Sequence, residues 1–249
     1  MFEAKISEAG VLSDSIKAIY ELIKEEVSFK LTSDGLSMRA MDPANVAMVS
    51  FKLLLPAFET YKLDADMTIG VDMEKFYNVL KQSLPGDAVT LKAEEAKLHI
   101  MFEGQSKRKF SIPLLELNGE ERKAPNLEFA VTAKITPEAI KQALSDAKVV
   151  ADSAVFAAKK GVLMISAVGD SGEVEVEFSE GKGQVIALDV REDARARYAL
   201  DYLEKMIKGT KLSNEIIVKF KTDYPIQMDY AMKDTLLLSF ILAPRVETD

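Results

Sequence analysis

Two periods of apolar residues run through this chain. Val27-Ser28-Phe29-Lys30-Leu31 and Val174-Glu175-Val176-Glu177-Phe178 alternate strictly, as strands with one covered face do. Ile16, Ile19, Tyr20 and Ile23 return at helical spacing, as do Ile140, Ala143, Leu144 and Ala147. The pattern predicts a strand at Phe2–Ser7 and a helix at Ser13–Lys24, started by Asp14-Ser15. Strands follow, with a hairpin turn at Ser33-Asp34-Gly35. A second helix is expected over 72–83. The order then starts again, with a strand at Phe129–Ala133 and a helix at Pro137–Val149 opened by Thr136-Pro137-Glu138. Strands such as Val162–Ala167 come next, and a helix over 199–209.

The halves coincide when the first is shifted by 127 positions: Phe2 falls on Phe129, Phe29 on Phe156, and Asp87–Lys92 on Asn214–Lys219. A repeat of this kind decides the architecture before any single element does. Between the halves, Asn118–Asn126 is polar, charged and proline-bearing, the composition of an extended linker. The expected organisation is a first domain at 1–117, a connecting loop at 118–128 and a second domain at 129–249. Each half has two helices and roughly eight strands. Strands that follow one another pair antiparallel, so the fold class is α+β.

Composition narrows the chemistry. The 249 residues include no Cys, no Trp and one His, and 40 acidic against 32 basic residues give a net charge of −8. Disulfides, thiolate metal sites and sites needing two histidines are excluded. A protein that coats nucleic acid with its whole surface would be basic, so any such role requires local clustering. The start of the chain is not a basic segment followed by an apolar one, and the longest apolar runs, such as Leu53–Pro56 and Leu236–Leu238, are too short to span a bilayer. The chain reads as cytosolic.

No catalytic constellation emerges. His99 stands alone in a strand-like stretch, and Gly181-Lys182-Gly183 is a turn without the remainder of a phosphate-binding motif. Asp64 and Asp66 could form a carboxylate pair for a hydrolase, but an exposed acidic loop explains them as well. The helices carry lysines at spacings that return to nearly one face: Lys17 and Lys24, Lys75 and Lys81, Lys141 and Lys148, Lys205 and Lys208. Solvent decoration and a DNA-facing wall both fit. Met38, Met41, Val46 and Met48 surround Asp42-Pro43, as core filler or as an adaptable apolar patch. Lys107-Arg108-Lys109 opens one strand and Glu173, Glu175 and Glu177 line another. A basic and an acidic edge suit head-to-tail pairing between copies, and equally the protection of isolated edges.

Three stretches taken in order resemble the sliding-clamp family, specifically the proliferating cell nuclear antigen (PCNA) type of archaea and eukaryotes. They are Met1-Phe2-Glu3-Ala4, Gly35-Leu36-Ser37-Met38-Arg39-Ala40-Met41-Asp42 and Leu242-Ala243-Pro244-Arg245-Val246-Glu247. The resemblance covers essentially the whole chain. It implies two similar domains with the DNA-clamp fold, joined by a loop near Leu117–Leu127. Three subunits would close a six-domain ring lined by helices. Such a ring is a non-catalytic processivity factor that encircles duplex DNA irrespective of sequence, is opened by a clamp loader, and tethers DNA polymerase and other replication and repair enzymes through a short peptide, the PIP box. It needs no cofactor and no metal. The implied peptide pocket comprises Met41, Val46, Met48, Leu127, Pro225, Ile241, Ala243 and Pro244, with Asn45 and Lys123–Asn126 at its rim. The implied DNA-facing residues are Lys17, Lys81, Lys141, Lys148, Lys205, Lys208 and Lys211. Ser13, Asp14 and Tyr20 depart from the basic residues usual in the first helix. The subunit contact would join Lys107, Arg108 and Lys109 to Glu173, Glu175 and Glu177. The resemblance also implies a cytoplasmic, nucleoid-associated protein if archaeal and a nuclear one if eukaryotic. A subunit of a heterotrimeric or checkpoint-type clamp is the nearest alternative.

Overall fold

The computed structural model describes residues 1–117 and 125–245. The expected connecting loop lies mostly outside these residues, and so do Val246 and Glu247. The first half runs β1 (Phe2–Ile6), α1 (Ala9–Tyr20), β2 (Glu26–Thr32), β3 (Gly35–Met41), β4 (Ala47–Leu54), β5 (Thr60–Leu63), β6 (Met67–Asp72), α2 (Met73–Leu80), β7 (Ala88–Glu94), β8 (Lys97–Glu103) and β9 (Lys107–Pro113). The second repeats it with β10 (Val131–Ile135), α3 (Pro137–Val150), β11 (Ser153–Lys159), β12 (Val162–Gly169), β13 (Gly172–Ser179), β14 (Val185–Val190), β15 (Ala194–Ala199), α4 (Leu200–Met206), β16 (Ile216–Phe220), β17 (Ile226–Met232) and β18 (Leu236–Leu242). Each half therefore has nine strands among the described residues, against roughly eight expected.

The chain forms two compact units. Unit 1 contains most of the first half with Ala231–Leu238, and unit 2 contains most of the second half with Ala44–Met48. Unit 1 holds the strand orders β5-β1-β7-β8-β9 and β4-β3-β2-β6, and unit 2 the orders β14-β10-β16-β17 and β13-β12-β11-β15, with β18 divided between the units after Leu238. The strand pairings are antiparallel.

Register gives the internal repeat residue by residue. Phe29 pairs with Ile69 and Met38, and Phe156 pairs with Ala196 and Ile165, each partner lying 127 positions after its counterpart. The first strand departs from that offset. Phe2 pairs with Ala93 and Leu63, but their counterparts Phe220 and Val190 pair with Val131, not Phe129. Phe129 precedes the strand and sets its ring edge-on to Tyr224, with centroids 6.2 Å apart. An aromatic match in sequence had stood in for a register match that only the ladder defines.

Helix limits also moved. α1 begins at Ala9, and Asp14-Ser15 lies inside it. The hydroxyl of buried Ser15 donates to the Val11 carbonyl at 2.6 Å, the back-bond of a mid-helix serine rather than a cap. Thr136-Pro137-Glu138 does open α3, with proline at its first position. The last helix is shorter than expected and gives way to a 3₁₀ turn at Ile207–Leu212. There Gly209 lies against the Tyr230 ring, 3.0 Å from where a Cβ would stand. At the β2–β3 turn, Gly35 has φ +124°, and a Cβ on it would sit 2.2 Å from the Leu53 carbonyl oxygen.

Each unit covers its apolar sheet faces with its helices. In unit 1, Leu12, Ile16, Ile19, Met73, Phe76 and Leu80 are buried with Phe2, Phe29, Leu91 and Phe102. In unit 2, Ile140, Leu144, Leu203 and Met206 are buried with Val131, Phe156, Val218 and Phe220. Burying each such side chain contributes about 1.5–3 kcal/mol. Met38 belongs to the first core and so leaves the apolar patch suggested by sequence. Tyr198 and Tyr230 are buried too, their hydroxyls donating to the Tyr224 and Met206 carbonyls at 2.7 and 2.9 Å. Burial pushes both phenols well above their ordinary pKa.

Candidate nucleic-acid interface, subunit edges and peptide pocket

The helices of each unit pack side by side, α1 with α2 and α3 with α4. Their buried stripes fix which exposed residues correspond. Leu12, Ser15, Ile16 and Ile19 match Ile140, Ala143, Leu144 and Ala147, an offset of 128. Met73 and Phe76 match Leu200 and Leu203, an offset of 127. Tyr20 therefore corresponds to Lys148, and Tyr77 to Glu204.

Those corresponding pairs both bridge the two helices, by different chemistry. In unit 1 the Tyr20 and Tyr77 rings stack, with centroids 4.6 Å apart and planes 18° from parallel. Lys24 stands over the Tyr20 ring at 5.9 Å and Lys81 over the Tyr77 ring at 5.6 Å. In unit 2 the Lys148 ammonium pairs with the carboxylates of Glu204 and Asp201. The hydrogen bonds to Glu204 and then Asp201 raise the pKa of Lys148. Its charge is thus locally balanced.

The remaining expected DNA-facing lysines divide by position. Lys17, Lys81, Lys141, Lys208 and Lys211 are exposed, and Lys205 is half-buried with its ammonium over the Tyr202 ring at 5.1 Å. Lys24 and Lys81 lie just past the ends of their helices, and Lys208 and Lys211 are on the 3₁₀ turn. Helical spacing alone therefore did not describe their placement. Lys75 is tied to Asp72, the N-cap of α2, at 2.8 Å. The Lys75 side chain and backbone N–H hold the Asp72 carboxyl below its ordinary pKa.

β9 and β13 each occupy the edge of a sheet within their own unit. Glu173, Glu175 and Glu177 are exposed along β13. Along β9, Lys107 pairs with Glu103 at 2.8 Å, while Lys109 is exposed. Arg108 points the other way. It donates to the Gln82 carbonyl at 2.7 Å and forms an ion pair with Asp87, whose side chain is 4% exposed. Asp87 also accepts from the Leu84 N–H at 2.7 Å, so the pair holds β9 to the α2–β7 turn. The basic run in sequence suggests three edge charges, and one of them, Arg108, is half-buried and paired within unit 1.

Most of the expected peptide-pocket residues fall in unit 2. The Ala243 N–H donates to the Val46 carbonyl at 2.9 Å, which brings Ala44–Met48 beside the end of β18. Asn45 takes a left-handed backbone, φ +57°, and Val46 is exposed. Met48, Ile241, Ala243, Pro244, Pro225 and Leu127 are half-buried, and Asn126 is exposed. The Phe129–Tyr224 contact carries the segment after Leu127 to the residue preceding Pro225. Met41 is half-buried at the end of β3 and belongs to unit 1. Lys123 lies outside the described residues.

Other sequence candidates have ordinary partners. Asp64 accepts from the chain's amino terminus at 2.9 Å, Asp66 is exposed, and no group of three or more potential ligands gathers among the described residues. His99 Nδ1 lies 2.8 Å from Ser111 Oγ across β8 and β9. Gly181 and Gly183 have positive φ in the turn between β13 and β14. Among the described residues no helix is long and apolar enough to cross a membrane.

Residues 1–121 match the family profile for the proliferating cell nuclear antigen N-terminal domain, and residues 123–245 that for its C-terminal domain. The chain belongs to the proliferating cell nuclear antigen family. Among its PCNA relatives, a DNA polymerase sliding clamp of Thermococcus sibiricus is 38% identical over 99% of both chains. The sliding clamp of Pyrococcus furiosus is 34% identical over the same share. The crystal structure of PCNA from Thermococcus kodakaraensis superposes with a TM-score of 0.93 at 29% identity, covering 98% of this chain and all of that one. The fold is that of a PCNA subunit.

Proposed function

We propose that this protein is a DNA polymerase sliding clamp, a processivity factor that encircles duplex DNA. The observation that carries this reading is full-length membership of the PCNA family combined with a two-helix, nine-strand unit that occurs twice among the described residues. A clamp holds DNA by topology, so its surface needs no base-reading groups. Exposed lysines beside the helices supply phosphate attraction without sequence preference. The net charge of −8 is compatible with that role, because the cations are local.

Assembly is proposed to be a homotrimeric ring joined between β9 of one copy and β13 of the next. Lys107 and Lys109 face Glu173, Glu175 and Glu177 across that joint, with Arg108 serving β9 from within. Val46, Met48, Leu127, Pro225, Ile241, Ala243 and Pro244 are proposed to accept the apolar anchor of a partner peptide, and Asn45 to lie at the rim. Partners of this kind are a polymerase and a clamp loader.

One experiment tests both parts: the clamp is loaded on primed circular DNA with a polymerase and a clamp loader. The expected result is retention and long products on the closed circle, with release of the clamp when the circle is cut. Val46→Asp should abolish loader-dependent retention and the stimulation of synthesis together, because both partners are proposed to use this pocket. Equal retention on closed and linear DNA would overturn the topological reading.

A further inference from the structure

We propose that buried Tyr198 is a positioning residue for the partner-peptide pocket of unit 2: its hydroxyl holds the Pro225 rim in the shape that accepts the peptide. The proposal rests on the peptide-pocket reading above and assigns a residue outside the pocket lining. Two proline-bearing segments of the pocket are held along β15. The Asp223 N–H donates to the Arg195 carbonyl at 3.1 Å, and the Arg195 N–H donates to Thr222 Oγ1 at 3.2 Å. The Arg245 N–H, just after Pro244, donates to the Arg197 carbonyl at 2.7 Å. Thr222 and Asp223 are exposed, so water competes for the bonds at that end.

The bond from Tyr198 comes from the core instead. Its ring is fully buried, edge-on to Phe156 with centroids 5.8 Å apart, and its hydroxyl donates to the Tyr224 carbonyl at 2.7 Å. That carbonyl belongs to the peptide unit whose nitrogen is that of Pro225. The unit has no N–H, so its carbonyl is the one hydrogen-bonding handle by which its plane, and with it the proline ring, can be fixed. The preceding residue makes such a hold necessary. Asp223 has a left-handed backbone, φ +48°, which a non-glycine residue rarely adopts and leaves when released. The Tyr224 ring also meets Phe129 edge-on, two positions after Leu127. Tyr198 therefore acts on a segment that adjoins two lining residues, Pro225 and Leu127.

A pocket whose accepting shape is only fractionally populated binds its peptide more weakly by that fraction. Tyr198→Phe keeps the ring in the core and removes the hydroxyl alone. Tyr230→Phe is the matched control. Tyr230 is equally buried in the same unit, but its hydroxyl holds the Met206 carbonyl at the end of α4, away in sequence from every lining residue. The test titrates a labelled synthetic PIP-box peptide into the full protein, at a temperature where melting curves show parent and both variants folded. Both variants should lower the melting temperature by about 2–4 °C. Tyr198→Phe alone should weaken peptide binding by about three- to thirtyfold, and amide exchange over residues 222–226 should quicken in it alone. Unchanged peptide affinity in Tyr198→Phe, or an equal loss in both variants, overturns the proposal. A parent protein that binds no peptide overturns the pocket reading on which the proposal stands.

Discussion

The helix pairs of the two units have the same frame and opposite surface chemistry. At corresponding positions the bridge between helices is a tyrosine stack in unit 1 and a lysine–carboxylate pair in unit 2. The buried stripes beneath are alike, so both solutions satisfy one packing requirement. They differ in what they leave over. The ion pair uses up a cation that would otherwise face outward, whereas the stack leaves Lys24 and Lys81 available and adds two phenol donors. A duplicated fold can thus keep its core while its two surfaces take on different dependence on ionic strength.

The units differ again after the second helix. In unit 1, buried Asp87 receives Arg108 and the Leu84 N–H. The equivalent residue in unit 2, Asn214, is exposed. The largest expected effect follows from this contrast. Asp87→Ala leaves Arg108 without its carboxylate and should cost about 3 kcal/mol in urea unfolding. Asn214→Ala should change stability by no more than about 0.5 kcal/mol. Equal costs would show that the asymmetry between the turns has no energetic consequence. If β9 forms the subunit joint, Asp87→Ala should also shift the native mass toward monomer.

A smaller effect separates the helix starts. Asp72 caps α2 by accepting from the Lys75 N–H at 3.0 Å, whereas Ala199 at the start of α4 has no side chain that can do so. Asp72→Ala should cost about 1 kcal/mol at neutral pH. The folded-state pKa of Asp72 is depressed, so its stabilisation is complete above the ordinary value of 3.8 and is lost as pH falls through the lower folded value. Parent and variant stabilities should therefore converge in acid. A gap that persists below both pKa values would assign the loss to packing instead.

Much of this was legible in the sequence, and the exceptions have physical causes. Period-two alternation located β2, β12 and β13, and the 127-residue offset anticipated that Phe29 and Phe156 occupy corresponding places in their ladders. Periodicity identified the buried stripe of α1 but not its start, because the N-cap, Glu8, accepts no side-chain capping hydrogen bond and is not one of the residues that mark such a boundary. The acidic run on β13 was readable because a strand edge exposes alternate residues. Arg108 was not, since its partner lies 21 positions earlier in a turn. The tyrosine stack is the same kind of miss. Tyr20 fits a helical apolar period, and nothing local says that its ring meets Tyr77 rather than the core.

Salt gives the last and smallest contrast. Aromatic stacking involves no counterions, so Tyr20→Ala should lower the melting temperature by about 2–4 °C, and by the same amount in low and high salt. Glu204→Gln removes one partner of Lys148, but Asp201 remains at 3.2 Å and the site is open to water. Its effect should be smaller at low salt and should vanish near 1 M, where the screening length is about 3 Å. Melting curves of both variants at two salt concentrations decide the matter. If the two losses respond to salt alike, the surfaces of unit 1 and unit 2 are held by the same forces despite their different residues, and the separation of neutral from ionic bridging fails.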